Sequence, residues 1–221
     1  MHAHQNIGRP LHPTMRTLGQ AMIRPAVLLV SLAGCGTPDP GDPGDPNHPP
    51  VDVNTPPGYL RTLSDRDYDG VSDDLLTAGL GVDGLQGAAP MVANATAPTA
   101  AELRRLAIYN NYRALVDVSK NGGFNTLYAP SKVAGSEHIA YADDGDGSQN
   151  VTLMVQIPRS FDPQRACIVT GTSSGSRGVY GAIGSSGYWG LSHGCAVAYS
   201  DKGTGNGVHE LAGDQVLRAD G

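Results

Sequence analysis

The sequence predicts an α/β fold built on a parallel-type sheet, and three stretches carry that prediction. Two short apolar runs, Cys167 to Thr170 and Cys195 to Tyr199, each end in a glycine- and serine-rich loop and lie about two dozen residues apart. Runs that are apolar throughout suit strands buried on both faces of a parallel sheet, and such strands need a crossover to return in the same direction. Two further strand-like runs, Glu137 to Ala142 and Val151 to Ile157, flank Asp143-Asp144-Gly145-Asp146-Gly147, which is the layout of a hairpin. The third stretch is a helix opened by Thr99, whose hydroxyl can cap the first turn while Glu102 reaches back to it.

The chain has 221 residues, 39% of them apolar, enough for one substantial domain. Thirty glycines and sixteen prolines against two phenylalanines and one tryptophan indicate many turns. The formal charge is −6, and residues 1–34 carry Arg9, Arg16, Arg24 and no acid. Without them the chain keeps 12 basic and 21 acidic residues, a net charge of −9. An acidic chain with no Lys/Arg cluster argues against nucleic acid or an anionic membrane surface as partner.

Residues 1–35 have the pattern of an export signal. Three arginines precede the apolar run Pro25 to Leu32, too short to span a bilayer but suited to a signal h-region. It closes in Leu32-Ala33-Gly34-Cys35, which resembles the lipobox of bacterial lipoproteins, where the cysteine is diacylated and becomes the first mature residue. Gly36 rather than Asp follows, which in that system points to the outer membrane; a plain signal peptide with a cysteine near the cut is the alternative. The n-region is long, which makes Met15 and Met22 alternative starts. Residues 36–57 then form a Pro/Gly/Asp-rich tether, since frequent prolines remove backbone donors and nothing there offsets the entropy of ordering. A domain follows over residues 58–221.

Asp65-Arg66-Asp67-Tyr68-Asp69-Gly70-Val71-Ser72-Asp73 matches the start of a calcium loop, but the twelfth position is Leu76 where a bidentate Glu would complete the cage. An acidic turn leading into Leu75 and Leu76 is the better reading. The helix from Thr99 offers Leu103, Leu106, Ala107, Leu115 and Val118 for apolar contact, keeps Tyr109 and Tyr112 for packing, and is closed by Asn121-Gly122-Gly123.

Gly171-Thr172-Ser173-Ser174-Gly175 matches the letters of G-x-S-x-G, the nucleophile elbow of α/β hydrolases, and its literal reading makes Ser173 a nucleophile. The residues after Gly175 are too glycine-rich for a firm helix, and only 46 residues remain, with His193 and His209 the only histidines among them. Tyr199 to Gly207 also looks like the Asp-x-x-Gly-x-Gly loop after the fourth strand of such hydrolases, which makes the run ending at Thr170 the third strand. On that reading Thr172, Ser173, Ser174 and Gly175 form the oxyanion loop, where backbone N–H groups in a tight turn stabilise the charge that acyl transfer builds on oxygen. Ser173 with His209 as base and Asp201 or Asp214 as acid is the alternative. Cys167 and Cys195 sit at matching depth in neighbouring strands, so a disulfide and two buried free thiols both fit. No Cys or His pair has metal-ligand spacing.

Five segments, 68–81, 98–117, 141–158, 167–184 and 189–211, together resemble the N-terminal part of bacterial D-(-)-3-hydroxybutyrate oligomer hydrolases. The resemblance implies an incomplete α/β-hydrolase-like sheet in an exported serine esterase. Such an enzyme cleaves 3-hydroxybutyrate dimers and short oligomers to monomers without a cofactor, downstream of a polyhydroxybutyrate depolymerase. Family members are much longer, and their nucleophile lies in the part that would follow Gly221, so no triad residue carries over and the chain alone is expected to be an inactive fragment. The rivals are a self-sufficient esterase using Ser173 and a lipid-anchored module binding calcium or a partner.

Overall fold

A computed structural model describes residues 55–122, 129–143, 150–174, 177–203, 208–210 and 215–217, the last two as backbone only. All of them belong to one compact unit, Val53–Gly221. The signal-like segment, Cys35 and nearly all of the tether lie outside the described residues, as do Gly175 and Asp214.

Five strands form one sheet: β1 (Leu60–Tyr68), β2 (Gly135–Ala142), β3 (Val151–Pro158), β4 (Ile168–Thr172) and β5 (Ala196–Ser200). Their order is β1-β2-β3-β5-β4. Only β4 and β5 run parallel, with Ile168 opposite Ala196 and Thr172 opposite Ser200; the other pairings are antiparallel. A second hairpin, β6 (Val208–Glu210) with β7 (Gln215–Leu217), forms a separate two-stranded sheet.

The hairpin expected from residues 137–157 forms with Gly135 opposite Pro158 and Ala142 opposite Val151. Its alternation has a direct cause. Glu137, Ile139, Thr152, Met154 and Gln156 point to one face and are buried, while His138 and Val155 point to the other and are exposed. The buried face packs against the helices. The expectation that the 167–170 run is buried on both faces fails: β4 is an edge strand whose outer face is open, with Ile168 70% exposed.

The first helix, α1 (Gly81–Gln86), is short; the second, α2 (Ala100–Leu115), has the capping box the sequence announces. Thr99 Oγ1 accepts from the Glu102 N–H, and Glu102 Oε2 accepts from the Thr99 N–H at 2.8 Å. Leu103, Ile108, Tyr109 and Tyr112 are buried, whereas Leu115 is exposed. The helix stops at Val116, short of the expected Asn121-Gly122-Gly123. Two β-branched residues, Val116 and Val118, flank Asp117 here, and the Asp117 carboxylate takes the Ser119 N–H, a local bond that competes with the helix.

Within the link from β4 to β5, residues 179–192 are continuously helical but change pitch, from a 3-10 turn (Val179–Ala182) through a π turn (Ile183–Gly187) to α3 (Tyr188–Ser192). Gly181, Gly184, Gly187 and Gly190 recur every third residue. They do not break the segment, as the sequence suggested; they let it lie directly on its neighbours. A Cβ at Gly190 would come 2.6 Å from Val197 Cγ2, and one at Gly181 would come 2.5 Å from Ser173 Oγ.

Candidate active-site loops and the buried network behind them

The loops expected to carry chemistry leave the sheet side by side. Thr172 ends β4 opposite Ser200, and the next residue extends the ladder, with Ser173 N–H donating to the Ser200 carbonyl at 2.8 Å. Thr172 and Ser174 are exposed; Ser173 is 1% exposed and points inward onto Gly181. Its Oγ has no hydrogen-bond partner, so among the described residues neither a histidine nor an acid addresses it. The side chain of His209 is not among those described.

Asp201 opens the neighbouring loop and is 3% exposed. Its Oδ1 accepts from the Thr152 N–H and the Gly203 N–H, each at 2.9 Å, so the carboxylate ties its own loop to β3. Gly203 holds a φ of +72°, a conformation that favours glycine and lets the loop turn back on the carboxylate. Cys167 and Cys195, immediately before the paired strands, form a disulfide with Cα atoms 4.8 Å apart.

Behind these loops lies a polar network that the sequence reading did not identify. Glu137 is 2% exposed and accepts from Arg104 Nε at 2.9 Å and Arg104 Nη2 at 3.1 Å. It also accepts from Tyr180 at 2.9 Å, Tyr68 at 3.3 Å and Gln156 Nε2 at 2.7 Å. Tyr199 donates to Gln156 Oε1 at 2.7 Å, which links β5 to the same carboxylate. Arg104 further donates to Asp73 and to the Asp74 carbonyl, each at 2.9 Å, and its guanidinium lies 4.0 Å from the centre of the Tyr68 ring. Burial works against the charged guanidinium, but the Glu137 carboxylate and the surrounding tyrosines outweigh it and hold Arg104 protonated well above the usual arginine range. Burial first and the Glu137 charge second push the Tyr180 and Tyr199 phenols well up, so both stay neutral donors.

The calcium-like string separates into unrelated parts. Asp65 and Asp67 sit on β1, and Asp65 pairs with His138. Asp73 pairs with Arg104. Asp69 takes the N–H groups of Val71, Ser72 and Asp73 together with the Ser72 hydroxyl. These bonds, led by that from Val71, hold the Asp69 carboxyl well below the usual range. That arrangement caps a turn, and among the described residues no group of three or more His, Cys, Asp or Glu is placed to hold a metal.

On the open face, His138 Nδ1 lies 2.8 Å from Asp65 Oδ1 and its Nε2 lies 3.0 Å from Ser136 Oγ. This is the bonding order of a hydrolytic triad, but the histidine is 45% and the acid 62% exposed. The pair is exposed to water, where such a contact is worth little.

Comparison with known proteins bears on the resemblance drawn from the sequence. Residues 41–221 match the family described as 3HB-oligomer hydrolase. The chain is 56% identical over 203 residues to a D-(-)-3-hydroxybutyrate oligomer hydrolase of Polaromonas naphthalenivorans, covering 86% of this chain and 28% of that protein. It is 61% identical over 180 residues to the one of Ralstonia pickettii, covering 76% and 24%, and 53% identical over 224 residues to the one of Paraburkholderia xenovorans, covering 95% and 30%. The chain therefore spans less than a third of the length of these curated relatives. No solved structure matches it. Among the described residues no helix is long and apolar enough to cross a membrane. With a family match over most of its length and these identities, the chain belongs to the 3HB-oligomer hydrolase family.

Proposed function

We propose that the chain is the N-terminal portion of an exported serine esterase that hydrolyses 3-hydroxybutyrate dimers and short oligomers, and that its own share of the active site is the loop after β4. The observation that carries this reading is the placement of two loops. With β1 set aside, β4 and β5 are the third and fourth strands in chain order and lie side by side in parallel, which is what the α/β-hydrolase resemblance requires. Ligands in open α/β sheets gather where such strands end.

In that site a serine supplied by the remaining length of the family's chain attacks the ester carbonyl. A histidine takes its proton and returns it to the leaving alcohol, and water then hydrolyses the acyl-enzyme. Of the loop residues, Ser173 has its N–H committed to Ser200, and Thr172 belongs to the β4 ladder. The N–H of Ser174, exposed and without a partner among the described residues, is the donor free to meet an oxyanion, with Gly175 next in the chain. Ser173 is poorly suited to be a nucleophile, because its hydroxyl is buried against the crossover helix. Export agrees with the Cys167–Cys195 disulfide, which suits an oxidising compartment, and Cys35 is the proposed lipid attachment point toward the outer membrane.

The test is release of 3-hydroxybutyrate from its linear dimer. The purified chain should release none, with or without Ser173→Ala, and the same region joined to the sequence that follows it in its gene should release the monomer. Turnover by the chain alone that disappears in Ser173→Ala would make Ser173 the nucleophile and overturn the oxyanion-loop reading.

A further inference from the structure

Three strands end in polar side chains at the same level. Thr172 on β4 and Leu153 on β3 both stand opposite Ser200 of β5, so Ser173, Asp201 and Thr152 form the next rung, one from each strand. All three are buried on the helix-covered face, at 1%, 3% and 0% exposure. Each keeps one oxygen without a hydrogen-bond partner: Ser173 Oγ, Asp201 Oδ2 and Thr152 Oγ1. The rung below, Gly171, Tyr199 and Met154, is also buried and closes that side, while Gly181 of the crossover covers Ser173.

Leaving a buried polar oxygen unpaired is costly, and three together on one rung call for a shared solution. Asp201 Oδ1 already bonds toward β3 through the Thr152 N–H, which leaves Oδ2 as the oxygen available toward β4. Residues directly opposite on adjacent strands have Cβ atoms about 5 Å apart, and here the facing oxygens make no direct bond to one another, an arrangement suited to one water molecule placed between them. We infer that Ser173 and Asp201 hold an internal water between Oγ and Oδ2, with Thr152 Oγ1 as the third polar group facing it. The water accepts from or donates to the two hydroxyls and donates to the carboxylate, and it fastens the start of the 172–175 loop to the start of the 201–203 loop. This inference stands on the rung alone and is independent of the esterase reading.

Thermal unfolding of the full 221-residue chain tests it. An unpaired hydroxyl makes Ser173→Ala neutral or stabilising, whereas loss of a water ligand lowers Tm by about 2–4 °C for each kcal/mol removed at this chain length. A fall of that size, smaller when Asp201→Asn is already present, supports the water. An unchanged or higher Tm in Ser173→Ala overturns it. A high-resolution crystal structure supplies the second readout: density within hydrogen-bond distance of both Oγ and Oδ2 supports the assignment. A direct Ser173–Asp201 bond, or no density between them, overturns it.

Discussion

Glu137→Gln removes a charge from the centre of the buried network while keeping its shape. Arg104, 6% exposed, then retains one carboxylate partner, Asp73, which is 23% exposed at its side chain. The new amide also presents N–H groups where Arg104 and Gln156 already donate. Removing one side of a buried ion pair costs about 3–5 kcal/mol. Against a total stability of about 5–15 kcal/mol that is a large fraction. At about 2–4 °C per kcal/mol for a chain of this size, the melting temperature should fall by roughly 6–20 °C. Urea unfolding followed by circular dichroism gives the free energy directly, with Arg104→Met and the double variant Glu137→Gln/Arg104→Met alongside. The double variant should cost much less than the sum of its single changes, because each single change strands the other member's buried charge and the double variant removes both. A loss below about 0.5 kcal/mol in Glu137→Gln, or strict additivity in the double variant, would refute the view that this carboxylate exists in the fold to neutralise Arg104.

Three further outcomes are expected, two from the structure and one from the sequence. Tyr180 and Tyr199 have folded-state pKa values raised above the ordinary phenol value of about 10, so their contribution is complete below that pH and is lost as pH rises toward the folded values, at about 2.7 kcal/mol per pH unit for the pair. The difference in phenolate absorbance between the native chain and its Tyr180→Phe and Tyr199→Phe variants should show each ring ionising together with unfolding; ionisation of either ring near pH 10 in a folded chain would contradict the burial argument. Cys195→Ser opens a bridge across 28 residues and should cost about 3.5 kcal/mol by loop-closure entropy, read as a lower urea midpoint that reductant lowers no further. On the lipidation proposed at Cys35, Cys35→Ala should move the protein from the detergent phase to the aqueous phase on phase partition, and partition unchanged from the native chain would exclude lipidation at Cys35.

The β2–β3 hairpin and the start of α2 were legible because each is written locally: period-two alternation in one, a Thr99–Glu102 pair three residues apart in the other. β1 was not legible. Its sequence, Leu-Arg-Thr-Leu-Ser-Asp-Arg-Asp-Tyr, buries little, since an edge strand with one open face needs few apolar residues, and it reads as an acidic turn. Arg104 was illegible for a different reason. In a helix whose next residue is also arginine, nothing local distinguishes the buried one, and its carboxylate partner is 33 residues away on another element. The ends of the two parallel strands, at Thr172 and Ser200, were legible from the polar residues that follow the apolar runs, yet nothing in those residues indicated that the Ser173 side chain turns inward. That depends on the glycine at 181 lying over it.

The two margins of the main sheet differ in their tolerance of company. β1 carries a register irregularity between Thr62 and Ser64, and along its length come Arg61, Asp65, Arg66 and Asp67. A kinked, charged border of this kind discourages another strand from pairing. β4, at the opposite border, is Ile-Val-Thr-Gly-Thr, uncharged and rich in β-branched residues. The sheet is therefore one-directional: it can be lengthened past β4 and resists being lengthened past β1. The loop after β4 stands beside the border at which any added strand would arrive.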